Sequence, residues 1–140
     1  MAGARCSNVA GIVSYEPGFV FPADEMPAAI PLFKGEMKAG AAVTREEFSR
    51  LARVPLQVVH GDNIVCEPIA DLIADGRRAQ VVASKLFAAV IANYDGRANV
   101  LHLPDVGLRG NSHFMFSDLN NVAVADQLSA YLGANGLDPR

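Results

Sequence analysis

Three short apolar runs constrain this chain more than any other feature: residues 9–14 (VAGIVS), 55–60 (PLQVVH) and 98–103 (ANVLHL). Each is apolar at neighbouring positions, so each needs cover on both faces. Turn-forming residues follow the first two, Glu16-Pro17-Gly18 and Gly61-Asp62-Asn63. Between the second and third runs, residues 76–93 carry apolar side chains at 81, 82, 86, 89 and 90, a helical spacing that Asp95-Gly96 ends. Thr44-Arg-Glu-Glu47 is a capping-box pattern and predicts a short helix reaching about Ala52. A last helix is expected over 122–132, with Asn120 or Asn121 as its cap. Val122, Ala125, Leu128 and Leu132 share one face of it. Buried strands joined by helical crossovers predict an α/β fold, a parallel sheet of about three strands flanked by helices.

Residues 19–42 hold Pro22, Pro27 and Pro31 among scattered apolar residues and read as irregular. Together with the short helix they make a segment, 19–53, expected to serve as a lid or pocket wall. The 140 residues suit one domain. With 51% hydrophobic residues and a net charge of −3, disorder is excluded. No Lys/Arg stripe exists to engage nucleic acid. No apolar run approaches the roughly 20 residues of a membrane span. Residues 1–18 lack the apolar core of a secretory signal, which gives a cytoplasmic expectation. Two cysteines, Cys6 and Cys66, are too few for a disulfide framework; a pair of thiols or a single bridge remains open.

In parallel sheets, function gathers in the loops at the carboxyl ends of the strands. Here those loops are 15–18, 61–66 and 107–116. The third, Gly107-Leu-Arg-Gly-Asn-Ser-His-Phe-Met-Phe, puts His113 between the last strand and the last helix. A general base there would have a rigid strand behind it. Two acids could orient it: Asp62, directly after Gly61 and suited to a turn, and Glu16, held between a strand end and Pro17. His60 reads as packing at a strand end and His102 as a buried residue of the last strand. Asp118, Asn120 and Asn121 read as caps, with a role in holding the His113 loop as the alternative. Phe114, Met115 and Phe116 could wall an acyl pocket or pack beneath the loop, and Arg109 reads as a solvated loop residue. No His/Cys/Asp/Glu cluster has metal-ligand spacing, and no glycine-rich loop fits a phosphate, so no cofactor is expected.

The segments GIVSYEPG, VPLQVVHGDNI and GLRGNSHFMFSDLNNVAVADQLSAYL resemble the C-terminal half of an α/β-hydrolase of a bacterial esterase-like branch. The resemblance covers most of the chain and is weakest over 1–6 and 19–53. It implies that Glu16, one strand earlier than the usual acid, is the triad acid and His113 the base. It also implies hydrolysis of a small-molecule carboxylic ester by a Ser–His–Glu mechanism.

Triads of this fold run nucleophile, acid, His along the chain, with the nucleophile in G-x-S-x-G. None of the seven serines (Ser7, Ser14, Ser49, Ser84, Ser112, Ser117, Ser129) lies in that motif. The expectation is therefore a partial domain over 1–140 that holds acid and base, lacks the nucleophile half and is inert alone. Its first strand would keep an open edge and apolar surface, able to pair with the absent half or with another copy. A non-catalytic, self-associating or partner-binding module is the alternative. A small complete enzyme using His60 and Asp62 is the third reading.

Overall fold

In the computed structural model, which describes residues 8–138, the three apolar runs form one parallel sheet. Its strands are β1 (Ile12–Tyr15), β6 (Leu56–His60) and β7 (Ala98–His102), with β6 in the middle. The intervening strands are β2 (Val20–Pro22), β3 (Ile30–Pro31), β4 (Glu36–Met37) and β5 (Ala41–Val43). The helices are α1 (Arg45–Ala52), α2 (Leu72–Asn93) and α3 (Asn121–Ala134), with single 3₁₀ turns at Leu103–Val106 and Met115–Ser117. Register pairs Tyr15 with Val59 and His60 with His102, so β1 and β6 end at the same rim.

Alternation along the strands divides the apolar residues between two cores. Ile12, Leu56, Val58 and Ala98 join Ala79, Ala83, Phe87 and Ile91 of α2 in the larger one. Val13, Tyr15, Val59 and Leu101 join Leu103, Met115 and Val124 in the smaller one on the other face. All five residues of β6 are buried, as a strand covered on both faces requires.

The structure departs from the sequence reading in four places. Helix α2 begins a turn earlier than residue 76, because the Asp71 carboxylate accepts from the N–H groups of Ile73 and Ala74. Second, residues 19–42 are not irregular throughout. β2 pairs with β5 and β3 with β4, and Phe19, Phe21, Ile30, Phe48 and Leu51 enter the larger core. Asp75 fastens the β3–β4 hairpin to α2: fully buried, it accepts from Phe33 N–H (2.6 Å) and Arg78 Nε (2.7 Å). Third, the shared apolar face of α3 is covered only in part, with Leu128 and Leu132 half-buried. Val122 is 72% exposed and Ala125 is exposed, and only Val124 is buried. Fourth, His102 is half-buried, with Asp105 3.6 Å away, rather than enclosed in its strand.

The capping box of α1 forms as its sequence requires. Thr44 Oγ1 accepts from Glu47 N–H (3.2 Å), and Glu47 Oε2 accepts from Thr44 N–H (3.1 Å). Cys66 is exposed, Cys6 and Ser7 lie outside the described residues, and no described helix is long and apolar enough to cross a membrane.

Phe87 is the hub of the larger core, in ring contact with Phe19, Phe21 and Phe48. Truncation there should leave a void among three aromatic rings from the 19–53 segment. Phe87→Ala is expected to cost about 3–5 kcal/mol in urea unfolding. A loss below about 1 kcal/mol would show that the 19–53 segment is not part of the cooperative core.

Candidate active site

Glu16 begins the site. Its N–H donates to Val59 C=O (2.9 Å), so it still hangs from β6 after β1 has ended. Its φ of +41° is left-handed, an uncommon conformation for a residue with a side chain. That kink, with Pro17 behind it, turns the carboxylate inward, where its side chain is 1% exposed. Burial alone pushes a carboxyl pKa up. Here Arg77, His113 and the Gly61 N–H outweigh that effect and hold the Glu16 pKa below its ordinary value.

Four donors meet this carboxylate. Oε1 accepts from Gly61 N–H (3.0 Å) and Arg77 Nη2 (3.0 Å). Oε2 accepts from Arg77 Nε (3.3 Å) and from His113 Nδ1 at 2.6 Å. An ionised carboxylate can only accept, so Nδ1 carries a proton, and in the neutral imidazole the lone pair is then on Nε2. The His113 side chain is 47% exposed, so the acid is enclosed while the imidazole reaches the surface.

The loop carrying His113 is tied down on both sides. Asp62 Oδ2 accepts from Gly110 N–H (2.8 Å), and Asp62 N–H donates to Asn111 C=O (3.2 Å). Buried Asn111 exchanges amide hydrogen bonds with Asn120 at 2.7 and 3.1 Å, and Asn120 Nδ2 also donates to Arg109 C=O (3.2 Å). Asp118 accepts from the N–H and hydroxyl of Ser112 (2.7 and 2.9 Å). Gly61 permits the close approach of the two loops, because a Cβ there would lie 2.6 Å from Ser112 C=O.

Several sequence assignments resolve at this point. Asp62 bonds the loop backbone, at Gly110 and at Asn63 N–H (2.7 Å), which is a turn role. Asn120 occupies the N-cap position of α3 without a side-chain capping bond and holds the His113 loop instead. Phe114 and Phe116 are 60% and 55% exposed, whereas Met115 is fully buried in the smaller core. Phe114 stands edge-on to His113 with centroids 5.0 Å apart, and Phe116 edge-on to Tyr15 at 6.2 Å. Arg109 is exposed. His60 is buried and bonded to Ser84 Oγ (3.1 Å), and burial pushes its pKa down to about 4. Among the described residues, no group of three or more His, Cys, Asp or Glu could hold a metal.

The residue absent from the sequence reading is Arg77, 61 positions from Glu16. It is one of four charged residues on α2, with Asp75, Arg78 and Lys85, and nothing local to it marks it out.

No family model and no curated protein matches this chain. Among solved structures, one titled as the atomic resolution structure of a novel bacterial esterase is 30% identical. The similarity covers 67% of this chain and 27% of that one, with a TM-score of 0.53. The chain thus has an esterase-like fold and spans about a quarter of that esterase's length.

His60 supplies a pH test. Its folded pKa lies below the ordinary value, so its neutral form stabilises the fold above about pH 6.5, and this is lost as pH falls toward about 4. The loss should reach roughly 2–3 kcal/mol across that window. Urea titrations at stepped pH should show this drop and should show it flattened in His60→Asn. An unchanged slope in the variant would assign the acid sensitivity elsewhere.

Proposed function

We propose that this chain is the acid–base portion of a carboxylic-ester hydrolase of the α/β-hydrolase type, resembling its C-terminal half. The observation that carries the reading is the 2.6 Å contact between His113 Nδ1 and a buried, ionised Glu16. Likeness to a solved bacterial esterase supports it.

In this reading Nε2 of His113 takes the proton from a serine hydroxyl as that oxygen attacks the ester carbonyl. Glu16 stabilises the imidazolium that forms. His113 then returns the proton to the departing alcohol, and the acyl-enzyme is hydrolysed by water activated in the same way. Exposed Phe114 and Phe116 beside His113 suit the apolar part of the ester. The serine is supplied by chain outside these 140 residues, since no G-x-S-x-G occurs within them. No cofactor or metal enters this chemistry.

The 140-residue chain alone should turn over p-nitrophenyl acetate at the buffer rate. Adding the nucleophile-bearing portion should bring turnover that falls roughly 10⁴-fold in His113→Ala. Turnover by the chain alone, abolished by His113→Ala, would overturn this division of labour.

A second reading, self-association or partner binding without catalysis, is favoured by the surface on the β1 side. β1 is an edge strand, and the α3 region beside it exposes Phe116 (55%), Leu119 (109%) and Val122 (72%). Tyr15, Phe116, Val122, Val124, Ala125 and Leu128 line an apolar groove of about 490 Å³ there. Light scattering after size exclusion decides this reading: a concentration-dependent dimer or larger species is expected if the edge pairs with itself, and a stable monomer counts against it.

A further inference from the structure

We propose that Arg77 is a positioning residue that keeps Glu16 ionised and fixed in plane, and thereby sets the tautomer of His113. The inference rests on reading Glu16 and His113 as the acid–base pair. Its test is independent of ester turnover, so either can fail without the other.

The geometry is specific. Arg77 lies one turn and a half into α2, on a helix locked into the larger core by Ala79, Ala83 and Phe87. Its guanidinium is largely buried, with a side-chain exposure of 20%. It sends one prong to each oxygen of Glu16, Nη2 to Oε1 and Nε to Oε2, and Nη2 also reaches Asp62 C=O at 3.4 Å. Two parallel donors define the plane of a carboxylate, which a single ammonium does not. The prong on Oε2 is the longer of the two, at 3.3 Å, and that oxygen is the one His113 approaches to 2.6 Å. Arg77 therefore takes up the remaining acceptor capacity of the acid and leaves one direction for the imidazole.

The charge matters as much as the fork. The ionisable groups around the carboxylate are Arg77 from α2, His113 from the loop after β7, and His60 at the end of β6. His60 is buried and neutral, so Arg77 is the permanent cation. Without it, the enclosed carboxylate would be balanced by one neutral Gly61 N–H and by whatever proton His113 supplies. A protonated Glu16 offers a hydroxyl in place of an acceptor, and His113 would then no longer be held with its proton on Nδ1. A carboxylate turned out of plane would have the same effect.

The test is ¹⁵N NMR of His113 and ¹³C NMR of the Glu16 carboxyl in the whole chain, for wild type, Arg77→Gln and Arg77→Lys. Wild type should show the Nδ1–H tautomer dominant above neutral pH. In Arg77→Gln that dominance should be lost and the Glu16 carboxyl should titrate at higher pH than in wild type. Arg77→Lys returns the charge without the fork. It should bring the carboxyl back toward wild type while the tautomer stays mixed. It also serves as the test variant if Arg77→Gln does not fold. Wild-type tautomer and carboxyl titration in a folded Arg77→Gln would overturn the proposal, as would a wild-type tautomer in folded Arg77→Lys.

Discussion

One buried negative charge organises this molecule. An unpaired carboxylate with 1% side-chain exposure would cost several kcal/mol or would simply take up a proton. Glu16 avoids both outcomes because donors from three separate elements converge on it. These are the Gly61 amide after β6, the Arg77 guanidinium on α2 and the His113 ring after β7. The carboxylate thus joins β1, the centre of the sheet, the long helix and the last loop. The loops at this rim are where they are because each contributes a donor or must clear room for one.

This arrangement divides labour between rigidity and access. The acid is enclosed and the base is half-exposed, so the carboxylate acts only through the imidazole. The His113 loop is held by backbone and amide contacts to Asp62, Asn120 and Asp118 and by Met115 in the smaller core. The two phenylalanines that flank Met115 are left at the surface. Phe114 stands beside the His113 ring and Phe116 against Phe114, with Leu119 and Val122 close behind in sequence. A loop fixed by polar ties can offer an apolar rim to a ligand or to another polypeptide without losing its shape.

The reading from sequence succeeded where the information was local. The apolar runs located β1, β6 and β7, and the Thr44–Glu47 box located α1. It fell short where burial was decided by distant residues. Phe19 and Phe21 looked scattered because the ring they pack against, Phe87, is far along the chain. Helix α2 was read too short because its cap, Asp71, precedes the apolar periodicity. The shared apolar face of α3 is exposed at Val122 and Ala125 and half-buried at Leu128 and Leu132, since a stripe of apolar residues records the need for cover and not which element provides it. Glu16 and His113 were legible as candidates from their places after strands and from the resemblance to esterases. Their pairing across 97 residues was expected from the resemblance, whereas strand position alone left Glu16 and Asp62 both open as the acid.

By itself the sequence determined the class of architecture, the crossovers and the rim at which acid and base would lie. Hydrophobic period and turn chemistry act over a few residues and can be read in order. Tertiary structure alone decided that Glu16 faces inward, that Arg77 rather than Asp62 or His60 completes its surroundings, and that the ring of His113 remains accessible. An ion pair is chosen by proximity in space and by the absence of water around it. Neither quantity exists until the chain has folded.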